Sequence, residues 1–96
     1  MASGTIKNTN LFQGEVPFSY SASANSSYLF NAKTLVDSAL PAGTEFVSWS
    51  GWATGSSSVC VVGMYYGDST ASGALRNVSG SAVSTSAKLY FTYRYV

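Results

Sequence analysis

Two tryptophans three positions apart, Trp49 and Trp52, are followed closely by the pair Tyr65-Tyr66 and then by Asp68. Such rings offer a flat apolar face with a polar edge. The C–H face of a sugar ring stacks on a surface of that kind, while a carboxylate, amide or guanidinium hydrogen-bonds its hydroxyls. Trp49, Trp52, Tyr65, Tyr66 and Asp68 are therefore the candidate ligand-binding residues, and a saccharide is the ligand their chemistry fits. The competing reading of each ring is core packing, because aromatics bury large areas and favour strands. Asn77 lies further along, and Arg94, at the edge of an aromatic stripe, suits a carboxylated sugar or a tyrosine face as well as a solvated or interface position.

Other chemistry is missing from the chain. There is no histidine, so a hydroxyl nucleophile has no imidazole base. A glycosidase sets two carboxylates about 5 to 9.5 Å apart, yet Glu15, Asp37, Glu45 and Asp68 stand in separate segments without a surrounding motif. An enzyme is not expected. Cys60 is the single cysteine, which rules out an intrachain disulfide and a zinc-ligand cluster within one chain. Its neighbours Val59, Val61 and Val62 predict a buried, inert thiol, and no metal or cofactor is expected.

Charge excludes further partners. Lys7, Lys33, Arg76, Lys88 and Arg94 form no run, so the clustered basic footprint of a nucleic-acid binder is lacking. The longest apolar stretches, near Val59 to Met64 and Leu89 to Val96, fall far short of the roughly 20 residues that span a bilayer, so no membrane insertion is expected. Met1 to Asn10 is polar and does not read as a secretory leader. Asn25-Ser26-Ser27 and Asn77-Val78-Ser79 match the N-glycosylation pattern and would mark exposed loops in a glycosylating pathway. In a chain this rich in serine, such matches are expected by chance.

The elements that must position these residues read as strands. Apolar residues alternate with polar ones in Val16 to Tyr20, Tyr28 to Val36, Thr44 to Ala53 and Lys88 to Val96, with Ser, Asn, Gly and Pro between. Ser58 to Tyr66 is apolar on both faces, as a central strand covered on two sides would be. Ala74 to Ser79 reads as a further strand, followed by a Ser-rich strand or turn, and no segment has a convincing helical period. Strict alternation would put Trp49 and Trp52 on opposite faces unless a bulge intervenes, for which Gly51 is the plausible place. At 96 residues, 46% of them hydrophobic and 9% charged, the chain supports one core and a surface finished with Ser, Thr, Asn and Gly. The expectation is an all-β fold, an antiparallel β-sandwich of about six to seven strands. Residues 15–96 would form the single domain, and residues 1–14 an N-terminal arm or the end of a stalk. Strands apolar on both faces, with few charges to guard their edges, predict burial by subunit association.

The order of features resembles the C-terminal receptor-binding domains of tailed-phage tail fibres, including those similar to H-type lectins. A Ser-rich strand and turn (Phe18 to Ser27) precede an aromatic strand (Tyr28 to Val36) and a Leu-Pro-Ala-Gly turn (Leu40 to Gly43). An apolar strand (Ser58 to Tyr66), the segment Arg76-Asn77-Val78-Ser79-Gly80 and an aromatic strand (Lys88 to Val96) follow. The ending Tyr-Arg-Tyr-Val is less uniformly apolar than in the lectin-like members. The resemblance implies a homotrimeric sandwich in the virion, at the distal end of a tail fibre, that binds a bacterial surface glycan; it carries no site residue over. The expected function is thus a non-catalytic virion binding domain for a bacterial cell-surface saccharide. The alternatives are a structural virion protein, such as a capsid decoration or head-fibre subunit, and a free-standing lectin.

Overall fold

The final segment of the chain is the spine of the molecule. In the structure, a computed structural model that describes residues 10–96, Val83–Tyr95 forms one strand, β6. The Ser-rich piece and the aromatic piece that the sequence separates are continuous. β6 pairs antiparallel with β1 (Phe12–Ala22) on one side and with β3 (Thr44–Thr54) on the other, so it is the middle strand of a long sheet. A second, shorter sheet has the order β2 (Ser27–Phe30), β5 (Gly73–Asn77), β4 (Val59–Met64), again antiparallel. Alternate residues of the long sheet, including Val16, Tyr20, Leu89 and Phe91, meet Phe30, Val59 and Leu75 of the short one in a single core. The expectation of an all-β sandwich with six to seven strands is met by six strands among the described residues.

Three of the four passages between the sheets lie at one end and are hydrogen-bonded to one another. The β1–β2 turn donates from Asn25 N–H to Ser79 O at 3.0 Å, and Val78 N–H donates to Ser58 O of the β3–β4 turn at 3.0 Å. At the centre is Asn77, whose side chain is fully buried. Its Nδ2 donates to the carbonyls of Ala22 (3.2 Å), Ser23 (3.1 Å) and Ser81 (2.8 Å). Its Oδ1 accepts from the N–H (3.0 Å) and hydroxyl (2.8 Å) of Ser79. A buried amide with both ends satisfied avoids the cost of desolvated polar groups and ties the two turns that carry the chain between sheets. Asn77 thus heads no exposed loop, whereas Asn25 is exposed, in the left-handed conformation (φ 52°) that asparagine tolerates.

The fourth passage, from β2 to β3, runs through a helix that alternation conceals. The expected strand Tyr28 to Val36 ends at Phe30, and Ala32–Ala39 forms α1. Asn31 caps it, its side chain accepting from Thr34 N–H at 2.9 Å. Ala32, Leu35, Val36 and Ala39 recur at helical spacing, and Ala32 and Val36 are completely buried. Leu40 stops the helix: its N–H closes on Val36 O, and its backbone is extended, as a residue before proline prefers.

Bulges settle two other expectations. β3 slips register against β6 between Phe46 and Ser48 and again between Trp49 and Gly51, so Phe46, Trp49 and Trp52 lie opposite Tyr93, Phe91 and Leu89. Cross-strand partners share a face, so both tryptophans belong to the inner face after all. β4 is an edge strand, not a central one. A slip between Val61 and Gly63 leaves Val62 exposed, which accounts for its apolar residues on both faces, and Cys60 is half-buried. Residues 1–9 of the expected arm lie outside the described residues, and β1 already pairs with β6 from Phe12 onward.

Two outcomes follow. Asn77→Ala strips the donor from three carbonyls and should cost about 2–4 kcal/mol in urea unfolding. Asn77→Asp presents a carboxylate to those carbonyls, which raises its folded-state pKa. Its stability should therefore be greatest in acid and fall as pH rises through that value, measured by melting between pH 3 and pH 7. Separately, the buried Tyr20 hydroxyl has no hydrogen-bond partner among the described residues, so Tyr20→Phe should be neutral or stabilising by about 1 kcal/mol in the same assay.

Candidate functional site

The loop between β4 and β5 is folded onto the start of α1. Tyr65 N–H donates to Ser72 O at 2.9 Å and Ser72 N–H to Ser69 O at 3.1 Å, so residues 65–72 form a closed connection. The buried Ser72 hydroxyl accepts from Ala32 N–H at 2.7 Å, which fixes the loop to the first turn of the helix. Asn31 makes a second link: while its Oδ1 caps α1, its Nδ2 donates to Asp68 Oδ1 at 2.8 Å. One asparagine thereby sets both the helix start and the carboxylate's orientation.

Tyr66 makes the third link. Its ring stacks on Phe46 of β3 with centroids 4.2 Å apart and planes within 6°. Its hydroxyl donates to Asp37 Oδ1, while Lys33 donates to Asp37 Oδ2 at 2.6 Å and stands 5.2 Å from the Tyr66 ring centroid. Burial pushes the Asp37 carboxyl up, but the hydrogen bonds from Lys33 and Tyr66 outweigh it and hold the group below its ordinary 3.8. Reciprocally, the bond to Asp37 raises the Lys33 ammonium, and burial followed by the bond to Asp37 raises the Tyr66 phenol. Tyr66 is thus a neutral donor and Asp37 a charged acceptor across the physiological range.

The five residues chosen from sequence do not form one platform. Trp49 packs against the core, edge-on to Phe46 at 4.9 Å, and its buried Nε1 has no hydrogen-bond partner among the described residues. Tyr66 is held by Phe46, Lys33 and Asp37 and is only partly exposed. Trp52, further along β3, is 44% exposed, and Tyr65 is 56% exposed. The Tyr65 ring lies close over Gly67, the neighbour of Asp68, where a β-carbon would strike it. Tyr65, Tyr66 and Asp68 therefore share one loop, and Trp52 pairs with neither tyrosine among the described aromatic contacts.

Compared with known proteins, the chain matches no family model, no curated protein and no solved structure. The surface must therefore be read from its own chemistry. Lys33 feels both Asp37 and Asp68, so the fold gathers two carboxylates that the sequence leaves far apart. Glu15 and Glu45 face Lys88 (3.6 Å) and Arg94 (3.1 Å) elsewhere on the long sheet. Among the described residues no group of three His, Cys, Asp or Glu side chains could hold a metal ion, and no helix is long and apolar enough to cross a membrane. A separate, open depression is lined by Ser19, Ser21, Tyr28 and Ser84 to Ser86 with Tyr20 beneath, which adds hydroxyls to the surface but no charge.

Asn31, Lys33 and Asp37 are the site residues that sequence reading overlooks. Their signal is an Asn three residues before Thr34 and a Lys–Asp pair at i, i+4, and both become legible only if the segment is read as a helix. A carboxyl held below its ordinary range adds stability above that range and loses it as pH falls through the lowered value. Asp37→Asn should therefore melt below the wild type at pH 7, and the difference should close as the pH is taken well below 3.8. Equal gaps at pH 7 and pH 2 would show that the pair is not what the carboxylate contributes.

Proposed function

We propose that this chain is a non-catalytic binding domain that recognises a saccharide, and that it serves as a homotrimeric receptor-binding tip of a phage tail fibre, with a bacterial surface glycan as its ligand. The observation that carries the saccharide reading is the exposed Tyr65 ring, lying over Gly67 in the same loop as Asp68. The ring offers a face for stacking. Asp68 has one oxygen engaged by Asn31, while its Oδ2 has no protein partner among the described residues and is free to accept from a sugar hydroxyl. Rigid support below the ring matters because binding then orders little of the loop, and the links through Ser72, Asn31 and Tyr66 supply it. A surface of serine hydroxyls with 9% charged residues also suits a neutral, hydroxyl-rich ligand better than a highly charged one. The virion setting rests on the order of features along the chain alone, an analogy of architecture.

A structural virion subunit is the second reading, and a specific observation favours it. Phe12 and Tyr95, at one end of the long sheet, are 42% and 41% exposed; Phe12 stacks on Tyr93, and Tyr95 meets both rings edge to face, an arrangement suited to burial between subunits. Saccharide binding separates the two.

Titration of the protein with purified bacterial capsular and lipopolysaccharide glycans, following a glycan array, should give binding that Tyr65→Ala and Asp68→Ala each weaken at least about tenfold. Neither variant should change the melting transition by more than about 0.5 kcal/mol, because both side chains are at the surface. Trp49→Ala should instead destabilise the fold by about 3–5 kcal/mol, while Trp52→Ala keeps it. Absence of binding to every glycan tested would reject the saccharide reading in favour of the structural one.

A further inference from the structure

The outer side of the short sheet carries a charge that no described residue answers. Leu75 and Asn77 of β5 are buried, so alternation turns Ala74 and Arg76 to the other side, on the middle strand of that sheet. Lys33, Lys88 and Arg94 each face a carboxylate, and Asp68 is held by the Asn31 amide. Among the described residues, Arg76 is the charged side chain left without an ion pair or a hydrogen bond. Its surroundings form a shallow trough along β5. Ala74 and Gly63, opposite each other, make the floor, and a β-carbon added at Gly63 would meet nothing within 4 Å. The exposed Leu29, opposite Ala74 on β2, and the exposed Val62, at the slip in β4, stand on its two sides. Arg76 lies at one end, between its cross-strand partners Ser27 and Cys60. Tyr65 stands at the other, where its N–H donates to Ser72 O at 2.9 Å, four residues before Arg76. At about 3.3 Å per residue the two ends are roughly 13 Å apart.

We infer that this trough extends the Tyr65 and Asp68 site and takes a saccharide whose acidic residues are spaced by neutral ones, with Arg76 binding a carboxylate. The inference names the ligand class of the site proposed above and rests on that reading. Charge chooses the occupant. A guanidinium gives a carboxylate two parallel hydrogen bonds, a pairing stronger than neutral hydrogen bonds supply. Leu29 and Val62 flank the trough with aliphatic surface, which shields such a pair from the water and salt that weaken an open one. Arg94, the arginine whose place in sequence also suits a carboxylated sugar, is already engaged by Glu45 at 3.1 Å. The role passes to Arg76. At the Tyr65 end the chemistry is opposite, because the free oxygen of Asp68 accepts from hydroxyls and its charge repels a second carboxylate. A neutral sugar therefore lies on Tyr65 and an acidic one reaches Arg76. One ring cannot touch both ends, so the ligand is an oligosaccharide, and the low floor at Ala74 and Gly63 leaves room for the sugar between.

The full chain is titrated with three capsular polysaccharides: one neutral, one alternating neutral and uronic residues, and one wholly uronic. The alternating glycan is also tested after chemical reduction of its carboxyls to primary alcohols. It should bind tightest in its native form. Carboxyl reduction and Arg76→Gln should each weaken that binding about tenfold, and the two together no more than either alone, because both remove one and the same pair. Added salt should weaken the wild type on this glycan and leave Arg76→Gln nearly unchanged. Arg76→Lys should recover part of the loss, since it restores the charge without the fork. Arg76 is exposed and unpaired among the described residues, so both variants should melt with the wild type. Glycan binding that neither Arg76→Gln nor carboxyl reduction alters overturns this inference and leaves the saccharide reading standing on Tyr65 and Asp68. A wholly uronic glycan bound tightest overturns the spacing of acidic by neutral residues. Binding to none of the three removes the saccharide reading and this inference with it.

Discussion

The structure depends on one buried amide. Asn77 ends β5 at the point where the chain leaves the short sheet, and its side chain bonds the turn by which β1 entered that sheet and the loop that leads back into β6. A fully satisfied buried network specifies a single arrangement, because every alternative leaves desolvated groups unpaired. Closing the sandwich there has a consequence at the far end. With three passages gathered at one side, the strands of the long sheet are free to outrun their partners at the other, and only the helix is left to close the core.

That helix does two things with one short sequence. Its apolar side, Ala32 and Val36, seals the core, and its polar side, Asn31, Lys33 and Asp37, holds the β4–β5 loop through Asp68 and Tyr66. Each exposed pair alone contributes little, since surface ion pairs are screened and cost side-chain entropy. Together with the buried bond from Ala32 to Ser72, they keep the exposed Tyr65 ring and Asp68 on a defined base. The long sheet makes its own adjustment through bulges: two extra residues in β3 turn Phe46, Trp49 and Trp52 all toward the β6 stripe.

The molecule thus has two unlike surfaces. Around Tyr65 and Asp68 an aromatic face meets hydrogen-bonding groups, a mixture suited to a polar ligand with apolar faces. Around Phe12 and Tyr95 the rings pack on one another and on Tyr93, and they stay 42% and 41% exposed.

Much of this was legible in the order of residues. Alternation in Val16 to Tyr20 and in Lys88 to Val96 dictates half-buried strands, and the single-core size and turn chemistry dictate a sandwich, because a strand's period of two needs no knowledge of its partners. Trp49, Trp52, Tyr65, Tyr66 and Asp68 could be named on chemistry alone, but not which of the rings stand exposed. Tertiary structure decided the rest. Ala32 continues the alternation of Tyr28 and Phe30 as well as it begins a helix, and only the cap on Asn31, the stop before Pro41 and the need to close the open end select the helix. The slip beside Gly51 is marked in sequence by the glycine, whereas the one after Phe46 has no local signal; together they leave Trp49 packed against the core and Trp52 more open. Asn77 reads in sequence like any polar loop residue. Its burial follows from three carbonyls that distant turns bring to it, and a hydrogen bond of that kind is a property of the assembled fold.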